Sequence, residues 1–245
     1  MNRHERRVAK ALARGQSVDL VVAVHEAGHC VARVLSAGSL GWDANEVIVG
    51  IDVYPAPVGM GVSSDGKRGL QSQATSWGRF LSKPMHEFLL AMPDTLEASR
   101  RGVQLDLQPI FAKMRSAGID VDSWCTAKSI EAIFGPMAEA RVTEKPFDEV
   151  WDDYSSEADR RDMVRFCRLS GMTDEQFERA YAQNICIAEQ HMDRPEVWRA
   201  ILALANKLKP GRTSARVVAG IITRALAGPA EGANGLGWVG AAPSL

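Results

Sequence analysis

From residue 20 to residue 35 apolar residues occupy nearly every position (LVVAVHEAGHCVARVL). A helix carrying that run is apolar almost all round, which predicts a buried core helix rather than a surface one. Ser17 offers a side-chain oxygen as N-cap, and Gly38 stands just past the end expected near Ser36. The rhythm then changes. NEVIVGIDVY at 45–54 is rich in β-branched residues and predicts a strand, closed by Pro55 and Pro57. Residues 58–64 predict a shorter second strand whose glycines suit a sheet edge, and 66–76 a polar loop. After Trp77 the pattern is helical, punctuated by Pro84, Pro93, Pro109 and Pro136. Its strongest stretches are 127–143, 156–169, 174–192 and 195–208, with 215–226 completing the set. Residues 2–14 predict a short basic helix stopped by Gly15, and 227–245, rich in glycine, alanine and proline, a loose tail. The expected class is mostly α (α+β), with a small sheet in the N-terminal half.

Composition narrows the function classes. The 245 residues suffice for a sizeable core, and 46% hydrophobic with 24% charged residues is ordinary globular composition. A formal net charge of -1 gives no global attraction for nucleic acid or an anionic membrane. The tryptophans are dispersed and not interleaved with basic residues, so no nucleic-acid partner is expected. Cys30, Cys125, Cys167 and Cys186 are scattered without CxxC spacing, which argues against a cysteine zinc site or a disulfide framework. The basic first segment lacks a signal-type apolar stretch, and no apolar run reaches the roughly 18 residues of a membrane span. A cytoplasmic protein without a membrane span is expected.

Chemistry enters with His25-Glu26-Ala27-Gly28-His29. Histidines four apart project from one helix face, where two ring nitrogens can reach one zinc ion at about 2.0–2.1 Å. Glu26 lies about 100° round the helix from His25, beside such a metal rather than on it. That place suits a general base that takes a proton from an activated water and returns it to the leaving amine. Two imidazoles and a carboxylate in a buried helix are costly unless paired or bound to a metal. Gly28 costs about 1 kcal/mol relative to alanine in a helix, which makes sense if something packs closely there. The third ligand is open at this point. The histidine-rich extension of one zincin family would need glycine and histidine where Ala32 and Leu35 stand. A glutamate followed by an aspartate four residues on also fails, because Glu157 and Asp162 are five apart.

HEAGHCVARVL resembles the zinc-binding helix of the peptidase domain of FtsH-type proteases, including Ala27 and Gly28. Further stretches follow in that family's order. NEVIVGIDVY resembles its post-helix strand, and VGMGV its edge segment that pairs with substrate. FGPMAEAR at 134–141 resembles its GGRAAE helix, with Glu139 as the glutamate. YSSEAD at 154–159 resembles the segment supplying the third zinc ligand, and 174–226 the closing helical bundle. The resemblance implies a zinc metalloendopeptidase domain over 17–226, with His25, His29 and Asp159 holding Zn2+ and Glu26 as catalytic base. Asp152, Asp153, Glu157 and Asp162 are neighbouring rivals to Asp159.

The departures carry their own expectations. Residues 77–126 exceed the family's corresponding stretch and predict a helical insertion beside the cleft. Pro136 and Met137 replace a glycine and an arginine of the GGRAAE pattern. No Walker A loop occurs in the sequence, so the expected substrates are peptides or flexible protein segments, with a separate unfoldase or adaptor for folded ones. The family's ring assembly depends partly on its ATPase module and does not transfer. A different class of function remains: a non-catalytic, zinc-stabilised interaction module, which needs no base beside its metal. His4 and His86 are expected at the surface, His191 in a cap or surface role, and Cys30 as a small core residue rather than a ligand.

Overall fold

The computed structural model describes residues 20–40, 43, 48, 50–53, 59–62, 68–71, 108–169, 172–209 and 211–228. The expected helix over 2–14, most of the tail, and residues 77–107 of the expected insertion lie outside them. In chain order the described elements are helix α1 (Leu20–Ser39), strands β1 (Gly50–Val53), β2 (Gly59–Val62) and β3 (Arg68–Gln71), and helices α2 (Gln108–Ser116) and α3 (Val121–Thr143). Helix α4 (Phe147–Asp152), a 3-10 turn (Tyr154–Ser156) and α5 (Glu157–Leu169) come next. Helices α6 (Asp174–Met192) and α7 (Pro195–Ala205), strand β4 (Gly211–Ser214) and α8 (Ala215–Ala227) complete the order. The class is mostly α with small antiparallel strand pairs, as the apolar patterning predicts.

Helices α1 and α3 form the centre. Every residue from Ala23 to Ala37 except His29 is buried, so α1 is covered on all sides, as its continuous apolar run requires. By length and composition Leu20–Gly38 could cross a membrane, but 72% of that window is buried inside the protein. Its cover is α3 on one side and α7 on another. Helix α3 also packs against α4, α5 and α6, while α7 packs on α8. Pro136 lies inside α3, where it removes one helical N–H donor.

Strand β1 pairs antiparallel with β4, from Gly50 opposite Ser214 to Val53 opposite Gly211. Ile51 and Val53 are buried, so the N-terminal and C-terminal halves share one core. This corrects the expectation of a sheet confined to the N-terminal half: β1 finds its partner more than 150 residues later. The segment expected as a polar loop over 66–76 contains β3, which pairs with β2 from Gly59 opposite Gln71 to Val62 opposite Arg68.

Other boundaries shift for local reasons. Helix α3 begins at Val121, not at 127, because Asp120 caps it by accepting from the backbone N–H of Asp122 and Ser123. Helix α1 continues to Ser39, and α7 stops at Ala205 rather than at 208. Helix α6 starts where predicted, held by a capping box between Thr173 and Gln176. The described part of the expected insertion is helical, and α2 lies against α3.

Candidate metal centre

Three elements bring the site together. Helix α1 presents His25, Glu26 and His29, α3 crosses beside it, and α5 delivers Asp159 from its first turn. The approach to α5 is fixed by two hydrogen bonds. The buried Ser156 hydroxyl donates to the Val150 carbonyl at 2.8 Å, and Arg160 Nη1 donates to the Asp153 carbonyl at 2.9 Å.

The two imidazoles face one carboxylate. His25 Nε2 lies 3.2 Å from Asp159 Oδ2, and His29 Nε2 lies 3.2 Å from Asp159 Oδ1. Behind them each Nδ1 has its own acceptor: Glu139 Oε2 at 2.8 Å from His25, and the Glu131 carbonyl at 2.7 Å from His29. A carbonyl only accepts, so the proton of neutral His29 sits on Nδ1, and the Glu139 carboxylate draws the His25 proton likewise. Each neutral ring then turns an Nε2 lone pair onto a carboxylate oxygen. Acceptor faces acceptor, and only positive charge between them reconciles the geometry.

The electrostatics agree. Burial works against the charged form of His25, but hydrogen bonds to Asp159 and Glu139 outweigh it and push its pKa up to about 10. Burial also opposes a charged His29, yet Asp159 raises its pKa. Burial would raise the Asp159 carboxyl, but the two histidines hold it well below the ordinary carboxylate range. The pocket therefore favours a cation, whether protons on the rings or one metal ion shared by them. A metal suits the donor set: ligand atoms of His25, His29 and Asp159 all lie within 4.8 Å of one another. Ligands of a tetrahedral zinc ion at about 2.0–2.1 Å are about 3.3 Å apart, close to both Nε2–carboxylate separations.

Glu26 is 8% exposed, and its carboxylate makes no hydrogen bond or ion pair among the described residues. It acts on both histidines through its charge alone. Of the acids near Asp159, none of Asp152, Asp153, Glu157 and Asp162 joins the cluster among the described residues. Asp162 instead acts on Lys128.

Glycines set the helix spacing. A Cβ on Gly28 would come within 2.7 Å of the Phe134 carbonyl oxygen, and one on Gly135 would fall on the His29 ring. The close packing expected around Gly28 is thus the α1–α3 crossing itself. Next to the site lies a second polar cluster that the sequence reading did not single out: Arg33, Lys128 and Glu131, all buried and paired. Cys30 is buried in the core, its thiol pushed up to about 12 by that burial. His191, expected in a cap or surface role, lies in the last turn of α6 but is buried rather than at the surface, next to Arg194, and takes no part in the cluster. His4 and His86 lie outside the described residues.

Compared with protein families, curated proteins and solved structures, the chain matches none.

Proposed function

We propose that this protein is a zinc-dependent endopeptidase, with His25, His29 and Asp159 holding the metal, Glu26 as catalytic base, and a domain of the FtsH-type peptidase kind. The observation that carries this reading is the pair of Nε2 atoms turned onto both oxygens of Asp159, with both Nδ1 atoms tied down behind them. Two imidazoles and a carboxylate are a set suited to catalytic zinc, which when bound acts as a Lewis acid toward water and the scissile carbonyl.

The chain's own residues supply the rest. Glu139 and the Glu131 carbonyl orient the rings and keep their donor nitrogens on the metal side. The Glu26 carboxylate, one residue from a ligand and without a hydrogen-bond partner among the described residues, accepts the proton of the attacking water. It then returns that proton to the amine nitrogen released by cleavage. Burial of the site limits competing water and strengthens each of these interactions. The substrates proposed are peptides and flexible protein segments; folded substrates would need a separate unfoldase or adaptor.

The alternative, a zinc-stabilised module without turnover, calls for a closed four-ligand site and no base. Among the described residues the cluster has three ligating side chains and a free carboxylate beside them, which favours the enzyme. Elemental analysis of protein purified without chelator, for wild type and Asp159→Ala, tests the reading alongside a casein-type cleavage assay. Near one zinc per chain and cleavage in wild type, both lost in Asp159→Ala, are expected. A wild type that takes up no zinc even after add-back would refute it.

A further inference from the structure

His29 and Arg33 stand one helical turn apart on α1, and both engage the same residue of α3. His29 Nδ1 donates to the backbone carbonyl of Glu131 at 2.7 Å, while Arg33 Nη2 donates to the Glu131 carboxylate. Lys128, almost one turn earlier on α3, donates from Nζ to both carboxylate oxygens at 2.9 Å. The three charged side chains are 5%, 8% and 6% exposed for Arg33, Lys128 and Glu131. Arg33 Nε and Nη1 are buried without a hydrogen-bond partner among the described residues, so within these the guanidinium's hydrogen bonding rests on Glu131.

Such a cluster is a poor way to gain stability. Well-packed apolar residues of similar volume usually hold a helix crossing at least as firmly as buried charges do. What charges add is register. An apolar crossing tolerates small slides and rotations, whereas a carboxylate of α3 held by Arg33 of α1, and steadied from its own helix by Lys128, fixes how α3 sits along and around α1. The carbonyl of that residue decides where the His29 ring points.

We propose that Arg33 and Lys128 are positioning residues that clamp Glu131, so that its carbonyl holds His29 with Nε2 turned toward Asp159. This rests on the reading of His25, His29 and Asp159 as a metal centre. The two-point attachment of α1 to a single α3 residue links the buried charge cluster to the ligand ring through one backbone unit. Arg33 and Lys128 touch neither metal ligand in this role; they act through Glu131.

The test is zinc affinity, measured by competition with a chromogenic chelator, for wild type, Arg33→Met, Arg33→Lys, Lys128→Met and the core variant Ile222→Ala in α8, a helix that supplies no residue to either polar cluster. Thermal unfolding of the chelator-treated proteins is read in parallel. Loss of a group that hydrogen-bonds a metal ligand directly typically weakens binding about ten- to hundredfold; Arg33 acts one step further out, through Glu131, so a loss at the lower end, about tenfold, is expected for Arg33→Met. Arg33→Lys should recover part of it, and Lys128→Met should fall between. Ile222→Ala should lose stability yet keep its affinity within about twofold, because Ile222 belongs to neither polar cluster. Should Arg33→Met fail to fold, Arg33→Lys and Lys128→Met decide the matter. Wild type that binds zinc while these variants bind it equally well, or no worse than Ile222→Ala, overturns the clamp alone. Wild type that binds no zinc overturns the metal centre, and the clamp with it.

Discussion

The imidazole of His29 lies against the backbone of Gly135, so closely that a Cβ on residue 135 would fall on the ring. At the same crossing, a Cβ on Gly28 would meet the Phe134 carbonyl oxygen at 2.7 Å and Gly135 Cα at 3.1 Å. One glycine from each helix brings α1 and α3 together, and the His29 ring occupies the space that Gly135 leaves. The position of His29 is therefore set by α3 twice, by the missing side chain of Gly135 and by the carbonyl of Glu131.

Substituting these glycines separates fold from site. Alanine gains about 1 kcal/mol of helix propensity at each position. Overpacking a tight crossing costs about 1–3 kcal/mol, so the steric term should win and both variants should melt lower. Only Gly135→Ala collides with the ring, so it alone should weaken zinc binding well beyond its effect on the melting temperature. Gly135→Ala that is stabilised and keeps full zinc affinity would show that the crossing is looser than described.

Glu139→Gln should weaken zinc binding about tenfold or more, because the amide still accepts from His25 Nδ1 but without the charge that strengthens the imidazole as a donor. Glu139→Ala should be worse, since the ring loses its orienting partner. At saturating zinc the cleavage rate of Glu139→Gln should largely return. Chelator competition and a zinc titration of activity check both statements; unchanged affinity would mean that packing alone orients His25.

Glu26→Gln should split binding from turnover. The carboxylate carries no hydrogen bond or ion pair among the described residues, so the fold and the one-zinc stoichiometry should survive. Loss of a positioned general base typically costs about 10²–10⁴ in rate. Full cleavage by Glu26→Gln, with zinc content verified on the same preparation, would remove Glu26 from the mechanism.

Some of this architecture is written in local sequence, and some is not. The continuous apolar run of α1 and the capping box of α6 specify their helices without reference to anything distant. The early start of α3 was also encoded, in Asp120 and the two N–H groups it caps, but those residues precede the periodic stretch. Strand β4 is four residues of GRTS, with no apolar alternation; it is a strand because β1 lies beside it. The HEAGH spacing points to two metal-facing histidines by itself, whereas Asp159 stands among similar acids and only the resemblance of YSSEAD distinguishes it in sequence; its place opposite both rings comes from the turn of α5. Glu131 acts on His29 through a backbone carbonyl, which every residue type possesses, so no letter in the sequence could mark it. Arg33 and Lys128 look like ordinary charged positions until both prove buried on one carboxylate.

The buried Glu131 carboxylate also predicts how the fold responds to acid. Burial alone would raise its pKa, but Arg33 and Lys128 outweigh that and bring it down from 4.5 to about 2. A carboxyl whose folded pKa lies below its unfolded one stabilises the fold above the unfolded value. That contribution drains away as pH falls through the folded pKa. For Glu131 the window runs from about 4.5 down to about 2. Below it, protonated Glu131 leaves the buried cations of Arg33 and Lys128 without their counter-charge, the same condition that Glu131→Gln imposes at every pH. Other carboxylates titrate in both proteins and cancel in the comparison. The melting temperature of chelator-treated wild type should therefore exceed that of Glu131→Gln most above about pH 5, with the gap closing toward pH 2. A gap that stays constant across that range would mean Glu131 is not the ionised partner of the cluster, and the charge-based grip on residue 131 would lose its physical basis.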